Sequence, residues 1–460
     1  MPSTFFGIEL AKRALTAQQI AAEIAGHNVA NAATEGYSRQ RALMAASDPW
    51  DMPALSSEVS AGQLGTGVEV RAIQRVQDPY LTERVRGLGT ALSYLEVWSG
   101  GLSEVEALVC EPSEQGLAAR LSAFWDAWHD LSLNPDDGAA RVSVREAGAA
   151  LVDLFHHLRM LLEEQRRALN EGIGRCAGEI NRLAGELANL THGIRASMAV
   201  GDQPNDLLDR REQVLLELAR LAGARAKAGA HGGMVVTLGG RTLVQDEVVV
   251  PVGWCVTGGA TQLRWGDDGS EVTVEGGKVG AMYAVRDELL PWVETALDGV
   301  AERLVVTVNE QHRRGYGLDG VSGRDFFVGT DAHNVALADC VVDSLTVIAA
   351  GLTGEPGDGR NAAAIGELRH LMVLGPDACY RDTVSALGAR VRLAEDERET
   401  EEVLYGQVEQ LREQVAGVSL DEEMADLMRY QLAYNAAARL LTVLDEMLER
   451  LILNTGIVGR

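Results

Sequence analysis

SLDEEMADLMRYQLAYNAAARLL, residues 419–441, opens on a helix start signal and continues as a helix. Ser419 followed three residues later by Glu422 is a capping-box pattern, in which side-chain oxygens take up free backbone N–H groups of the first turn. Asp421 and Glu423 add negative charge where the helix dipole is positive. From inside this stretch to past its end, Leu427, Tyr430, Tyr434, Ala437, Leu441, Leu444, Leu448 and Leu451 recur at alternating intervals of three and four. That spacing draws one apolar stripe along a helix, the seam of a coiled coil. The other end of the chain mirrors it. Leu10, Ala14, Ala17, Ala21 and Ile24 keep the same intervals, and Ala11, Leu15, Ala22, Ala25 and Val29 widen the stripe. A helix from residue 4 to about 31 would be a rod roughly 40 Å long at 1.5 Å per residue. An Ala-rich seam permits close helix approach but buries little area per residue.

Working inward, RQRALMA (39–45) and GVEVRAIQRV (67–76) read as strands around a loop holding Pro49, Pro53, Gly62, Gly65 and Gly67. Asp78–Pro79 is an N-cap followed by proline at the first helical position. Helical patterns run from there to about residue 222. They are punctuated at Glu111–Pro112, at the Asn-Pro-Asp-Asp-Gly of 134–138, and at the Gly-Asp-Gln-Pro of 201–204. The stretch 139–199 is too long for an ordinary globular helix and predicts a bundle rod, with breaks allowed at its several glycines. Between 224 and 280 the grammar changes to short β-branched or alternating runs, MVVTL, RTLVQ, EVVVPVGWCV, TQLRW and SEVTVE, separated by Gly-Gly and Asp-Asp-Gly turns. Helix returns at 281–314, a loop-rich section follows to about 360, and helix returns again over 377–416. The fold class is therefore mainly α with a β-rich insertion.

Composition agrees with that reading and removes several functions. At 460 residues the chain has room for about three domains. Apolar residues make up 46% but aromatics only 5%, so the interior is expected to be Ala, Leu and Val, which suits packed helices. A net charge of −26 without a Lys/Arg cluster repels a phosphate backbone, so nucleic acid is not an expected partner. No segment reaches the ~20 apolar residues of a membrane span, and the N-terminus lacks the basic stretch and apolar run of a secretory signal. Cysteines 110, 176, 255, 340 and 379 fit neither a disulfide framework nor a metal site, and are read as buried thiols.

The residues that look chemical have plainer readings. GVSGR (320–324) lacks the GxSxG spacing of a nucleophile elbow. His156 and His157 are adjacent, so on a helix they point about 100° apart and do not share a metal. Gly357 to Ala362 matches GxGxxA only superficially, with Pro356 where a strand should lead in. Asp267-Asp268-Gly269 is a hairpin turn without a calcium loop. Glu422 and Glu423 are read as helix-start charges, not as an acid and base pair. No catalytic, cofactor or metal residues are assigned, and no enzyme activity is expected.

GHNVANAATEGYSRQ at 26–40 resembles the Asn-rich, Gly-Tyr segment of the flagellar rod, hook and hook-associated protein family. NDLLDRREQVLLEL (205–218), GRDFFVG (323–329), GDGRNAAAIGEL (357–368) and the 419–441 stretch narrow the resemblance to the hook-associated branch that joins hook to filament. The resemblance implies terminal helices paired as an antiparallel coiled coil, residues 1–36 with 419–460, surrounded by a discontinuous helical bundle. That bundle would be 37–223 with 281–418, including a β hairpin near 39–76, and residues 224–280 would form a small outer β module. It also implies an exported, extracellular structural subunit with no cofactor. Its expected partners are a ring of its own copies, the hook protein, the next hook-associated protein on the filament side, and an export chaperone at the C-terminal helix. The thirteen seam residues, Leu10 to Ile24 and Leu427 to Leu451 as given above, are the expected assembly interface. A hook or distal-rod subunit is the alternative within the family, and a secreted hydrolase riding on the flagellum the alternative outside it. One departure stands out: many relatives carry a sizeable outer domain after the counterpart of Phe327, whereas here only a short stretch separates Phe327 from Ser344.

Overall fold

The computed structural model describes residues 5–49, 64–109, 116–373 and 375–454. Pro53, Gly62, Glu111–Pro112 and Cys110 lie outside them. The elements in chain order are α1 (Phe6–Ala30), β1 (Gln40–Ala46), β2 (Val68–Arg75), α2 (Pro79–Val109), α3 (Leu117–Leu133), α4 (Gly138–Ala199) and α5 (Asn205–Ala222). Next come β3 (Arg225–Ala228), β4 (Met234–Leu238), β5 (Arg241–Gln245), β6 (Val248–Val249), β7 (Val252–Thr257) and β8 (Ala260–Trp265). The chain finishes with α6 (Gly277–Ala284), α7 (Leu290–His312), β9 (Phe327–Val328), β10 (Ala336–Leu337), α8 (Asp339–Asp343), α9 (Arg360–Gly366), α10 (Pro376–Ala416) and α11 (Leu420–Asn454).

Local signals act as the sequence suggests. Asp78 accepts hydrogen bonds from the amides of Tyr80 (2.8 Å) and Leu81 (3.3 Å) at the head of α2, and Asp137 caps α4 through Ala139. α4 runs 62 residues unbroken despite its glycines. Tertiary packing supplies the reason: buried residues from Val144 to Leu162 enter one hydrophobic core, and those from Ile173 to Ala188 enter a second. The helix is the spine of both.

The first core gathers α3, α7, α9 and the first parts of α4 and α10 around Phe124, Trp125, Trp128, Phe155, Phe326 and Phe327. The few aromatics are concentrated here. Phe326 and Phe327 stand 4.8 Å apart, edge to face, and Asn309 holds the strand that carries them by accepting both their amides and donating to the Phe327 carbonyl. The second core packs the far half of α4 and α5 against β3–β8. These strands form two antiparallel sheets, one of order β3-β4-β5-β6 and a β7-β8 hairpin. The β-rich insertion therefore shares its interior with the long helices. SEVTVE, expected as a strand, makes only an isolated bridge from Glu271 to Arg264. The expected helix over 281–314 starts earlier, at Gly277, and passes through a π turn at Val285–Leu289 before α7. From Phe327 the chain makes the two-residue strand β9, a turn organised by Asp331 and Asn334, and returns as β10.

Four cysteines are described, all as free thiols. Only Cys176 is buried; Cys255, Cys340 and Cys379 are partly exposed, which corrects the expectation of a fully buried set. Cys255 lies on the outward β7-β8 hairpin, where the Arg264 guanidinium donates to its sulfur. Among the described residues no helix is long and apolar enough to cross a membrane.

Candidate assembly site

The two terminal helices lie side by side and run in opposite directions. Gly7, at the start of α1, faces Leu444 near the end of α11, so closely that a Cβ there would come within 2.9 Å of the leucine methyl. At the other end of α1, Asn28 donates to Glu423 at the start of α11, 2.9 Å away. α1 buries Ala11, Ala17, Ala21, Ile24, Ala25 and Asn28. Leu10 and Ala14, named from the spacing, are only partly covered.

α11 is less enclosed. Of its expected stripe only Ala437 is buried, while Leu427, Tyr430, Leu441, Leu444 and Leu448 are half-covered. Tyr434 remains 40% exposed and Leu451 50% exposed. Around the rest of the helix Met424, Met428, Leu432, Leu440, Val443 and Met447 face solvent, Leu432 at 71%. A contiguous apolar helix surface of this size is characteristic of a surface built to meet another protein.

At its base the pair is fastened to the body by a polar junction that the seam spacing does not reveal. Asn28 is 1% exposed and uses its whole carboxamide. Its nitrogen donates to the Gln40 carbonyl and to Glu423, and its oxygen accepts from the Gln40 amide and the Tyr37 hydroxyl, all at 2.8–2.9 Å. Glu423, 2% exposed, also accepts from Arg39 Nε at 2.6 Å, and Arg39 reaches Glu422 at 2.8 Å and Asp426 at 3.9 Å. The reading of Glu422 and Glu423 as helix-start charges is thus incomplete: their carboxylates are engaged by a distant arginine. Ser419 still accepts the Glu422 amide, at 3.5 Å, but the reciprocal half of the capping box is replaced by this ion pair.

α5 grips the same corner from below. Asn205 donates to Gln40 Oε1 and to the Ile73 carbonyl, Asp206 accepts from Gln40 Nε2, and Asp209 accepts from the Ser38 amide and from Arg75. Gln213 donates to the Glu35 carbonyl, beside Gly36, whose φ of +74° is the left-handed turn that glycine favours. The NDLLD run of 205–209 is therefore the polar face of a helix addressed to the β1-β2 hairpin. The signal was present in the sequence as polar residues at i, i+1 and i+4, but a helix face names no partner.

The remaining chemical-looking residues have structural roles. His156 and His157 are both exposed on α4. Asp358 accepts amides of Leu352, Thr353 and Arg360 together with the Arg360 side chain, which holds its carboxyl well below the usual range. Asp267 and Asp268 pair with Arg241 at a turn made by Gly269, φ +69°. Among the described residues no group of three or more His, Cys, Asp or Glu is placed to hold a metal ion.

Comparison with known proteins places these features in one lineage. Residues 102–327 match the model of the flagellar hook-associated protein FlgK helical domain. Residues 8–37 match the flagella basal body rod protein model, and 413–454 the flagellar basal body rod FlgEFG protein C-terminal model. The chain is 28% identical to flagellar hook-associated protein 1 of Bacillus subtilis, with 100% of both chains covered. It is 25% identical to flagellar hook-associated protein 1 of Salmonella typhimurium, covering 97% of this chain and 99% of that one. The latter alignment extends over 557 positions against 460 residues here, so that relative carries segments this chain lacks. In structure, the flagellar hook junction protein FlgK from Burkholderia pseudomallei superposes with a TM-score of 0.62 at 13% identity, covering 73% of this chain and all of that one, which is a likeness of fold. Over its whole length the chain is similar to hook-associated protein 1 of the flagellar rod, hook and hook-associated protein family.

Proposed function

We propose that this chain is a structural subunit of the bacterial flagellum that joins hook to filament and assembles through its two terminal helices. The observation that carries the reading is α11: a long helix whose apolar stripe is only half-covered by α1 and whose other apolar residues face solvent. An apolar surface of that extent favours burial against neighbouring subunits. Of the thirteen seam residues, Ala17, Ala21, Ile24 and Ala437 are already buried within the single chain, and the other nine serve as the assembly contacts, with Met424, Met428 and Leu432 extending the surface. The body, 37–223 with 281–418, forms the surrounding wall, and 224–280 faces outward. Its neighbours are further copies in a ring, the hook protein below and the next hook-associated protein above. It reaches them by export through the flagellar channel, with a chaperone covering the C-terminal helix beforehand. Such a part needs no catalytic group. A hook or rod subunit would share the terminal matches but not the helical domain at 102–327.

Deletion of the gene tests this reading directly. Electron microscopy of the mutant is expected to show complete hooks without filaments, and filament subunit is expected in the medium. Normal filaments on mutant cells would end the junction reading.

A further inference from the structure

We propose that Asn28, Arg39 and Glu423 form a register lock, which sets the axial alignment of α1 against α11 and ties both to one strand of the body. The inference deepens the assembly reading above and rests on it. A seam made of alanines does not choose its own register. Ala11, Ala17, Ala21 and Ala25 recur at intervals of four and six, and one buried methyl is equivalent to another. Along these alanines, sliding α11 by one turn, about 5.4 Å, would exchange methyl contacts for similar ones, and within the seam only Ile24 and the close Gly7–Leu444 contact oppose it. The side chains of α11 facing them are half-covered in any case, so little burial would change.

The base of the pair is different, because its contacts are polar, buried and directional. Asn28 clamps α1 onto β1 by pairing with both the amide and the carbonyl of Gln40. Arg39, the residue before, is fixed by its own backbone: its amide donates to Ala416 at the end of α10, and its carbonyl accepts from Val76 after β2, each at 2.8 Å. Its side chain therefore projects from a fixed point toward the start of α11. Glu423 is where the two clamps meet, one oxygen on Asn28 and the other on Arg39. A slip of one turn in either direction would break the Asn28 and Arg39 contacts of this carboxylate together, and the desolvation of a charge that loses its partners opposes that. A single buried polar contact in an otherwise uniform apolar seam is the known way for paired helices to select one register. Here the contact is three-way, so the same residues that align the helices also set where the pair sits on the body. Copies presenting their exposed apolar stripes from one fixed position can repeat around a ring.

The test measures register rather than stability. Ketone-bearing unnatural residues are placed at the exposed Thr16 and Glu446 and spin-labelled, leaving the native cysteines untouched, and the interlabel distance is read in the full chain by pulsed electron resonance. The unaltered lock is expected to give one narrow distance. Asn28→Leu with Glu423→Leu is expected to keep the helix content but to broaden the distribution or add a second population displaced by about one turn, ~5 Å. A single narrow distance unchanged in the double variant overturns the proposal. A broad distribution in the chain with its lock intact overturns it equally, since no register would then exist to fix. Should the double variant lose helix signal, Glu423→Gln keeps the shape and the acceptor for Asn28 while withdrawing the charge from Arg39. Broadening is expected there too, and an unchanged distance overturns the proposal. Assembly on hooks is scored separately. Assembly surviving a charged substitution in the α11 stripe would defeat the reading of the previous section while leaving the distance result to stand on its own.

Discussion

His312 stands where three separate stretches of chain converge. Its ring is fully buried beside Trp128 and Phe326, Nδ1 donates to the Arg324 carbonyl at 2.8 Å, and Nε2 accepts the Ala349 amide at 3.0 Å. Those two bonds require the neutral ring with its proton on Nδ1. Burial pulls its pKa down from 6.5 to about 4. Because the folded value is the lower one, the unfolded chain binds the proton first as pH falls. The contribution is therefore complete above about pH 6.5 and declines as pH drops toward 4, by roughly 3 kcal/mol in all. His312→Phe preserves the ring but leaves the Arg324 carbonyl and the Ala349 amide unpaired, which is expected to cost about 2 to 5 kcal/mol at pH 7. Chemical unfolding at pH 7 and pH 5 checks both points: the variant is weaker at pH 7 and loses less than the parent on going to pH 5. An equal loss in both proteins would assign the acid sensitivity elsewhere. The same loop depends on Arg141, 2% exposed, which donates to the carbonyls of Pro135, Leu345 and Ile348. The two residues help to order the loop-rich section from 315 to 360, whose regular elements, β9, β10 and α8, are short.

At the scale of elements, glycines in α4 separate into two kinds. A Cβ at Gly178 would meet nothing within 4 Å, whereas one at Gly148 would come 3.0 Å from Phe326 and 3.1 Å from Leu337. Gly178→Ala removes only backbone freedom and is expected to stabilise by about 0.5 to 1 kcal/mol. Gly148→Ala drives a methyl into the aromatic core and is expected to cost about 1 to 3 kcal/mol. Urea midpoints of the two variants should move in opposite directions, and a shift of the same sign would contradict this account of the spine. On α11 the element serves assembly rather than the body. Leu441→Asp, and more so Leu441→Asp with Leu448→Asp, places carboxylates on a stripe where each leucine contributes about 1.5 to 3 kcal/mol once covered. Incorporation at hook tips should fail while thermal unfolding of the body shifts little. An export assay must accompany it, since the chaperone is proposed to bind the same helix. If the double variant is exported and still supports filaments, the terminal helices are not the assembling element.

At the scale of the molecule, two hydrophobic cores hang on one helix. The aromatic core draws on the first part of α4 and the second core on its far half, with no residue of α4 buried between Leu162 and Ile173 other than Gly172. Such units can open independently even when a helix joins them. Leu218→Ala, at a fully buried position of α5 in the second core, is expected to cost about 2 to 4 kcal/mol. Hydrogen exchange followed by mass spectrometry should then show faster exchange in the peptides of 173–265 and much smaller change in those of α3, α7 and α9. Uniform acceleration through both cores would mean that the body opens as one unit.

Periodicity determined much of this protein by itself. A repeat of three and four residues is physical whatever surrounds it, so the terminal helices, the cap at Asp78 and the strands either side of Gly-rich turns were all legible. The segments at 26–40 and 205–218 were legible as a family resemblance, though not as a mechanism. What the sequence left open were the partners of buried polar groups. Asn28 and Glu423 are 395 residues apart, and no local pattern couples them, because a hydrogen bond depends on position in space and not on separation along the chain. For the same reason the strands of 224–265 read as a module of their own, since alternation shows which face is apolar but not what covers it. The tertiary structure supplied that cover from α4 and α5. It also left α11 half bare, which reflects how little area a seam of alanines on α1 offers a longer apolar helix.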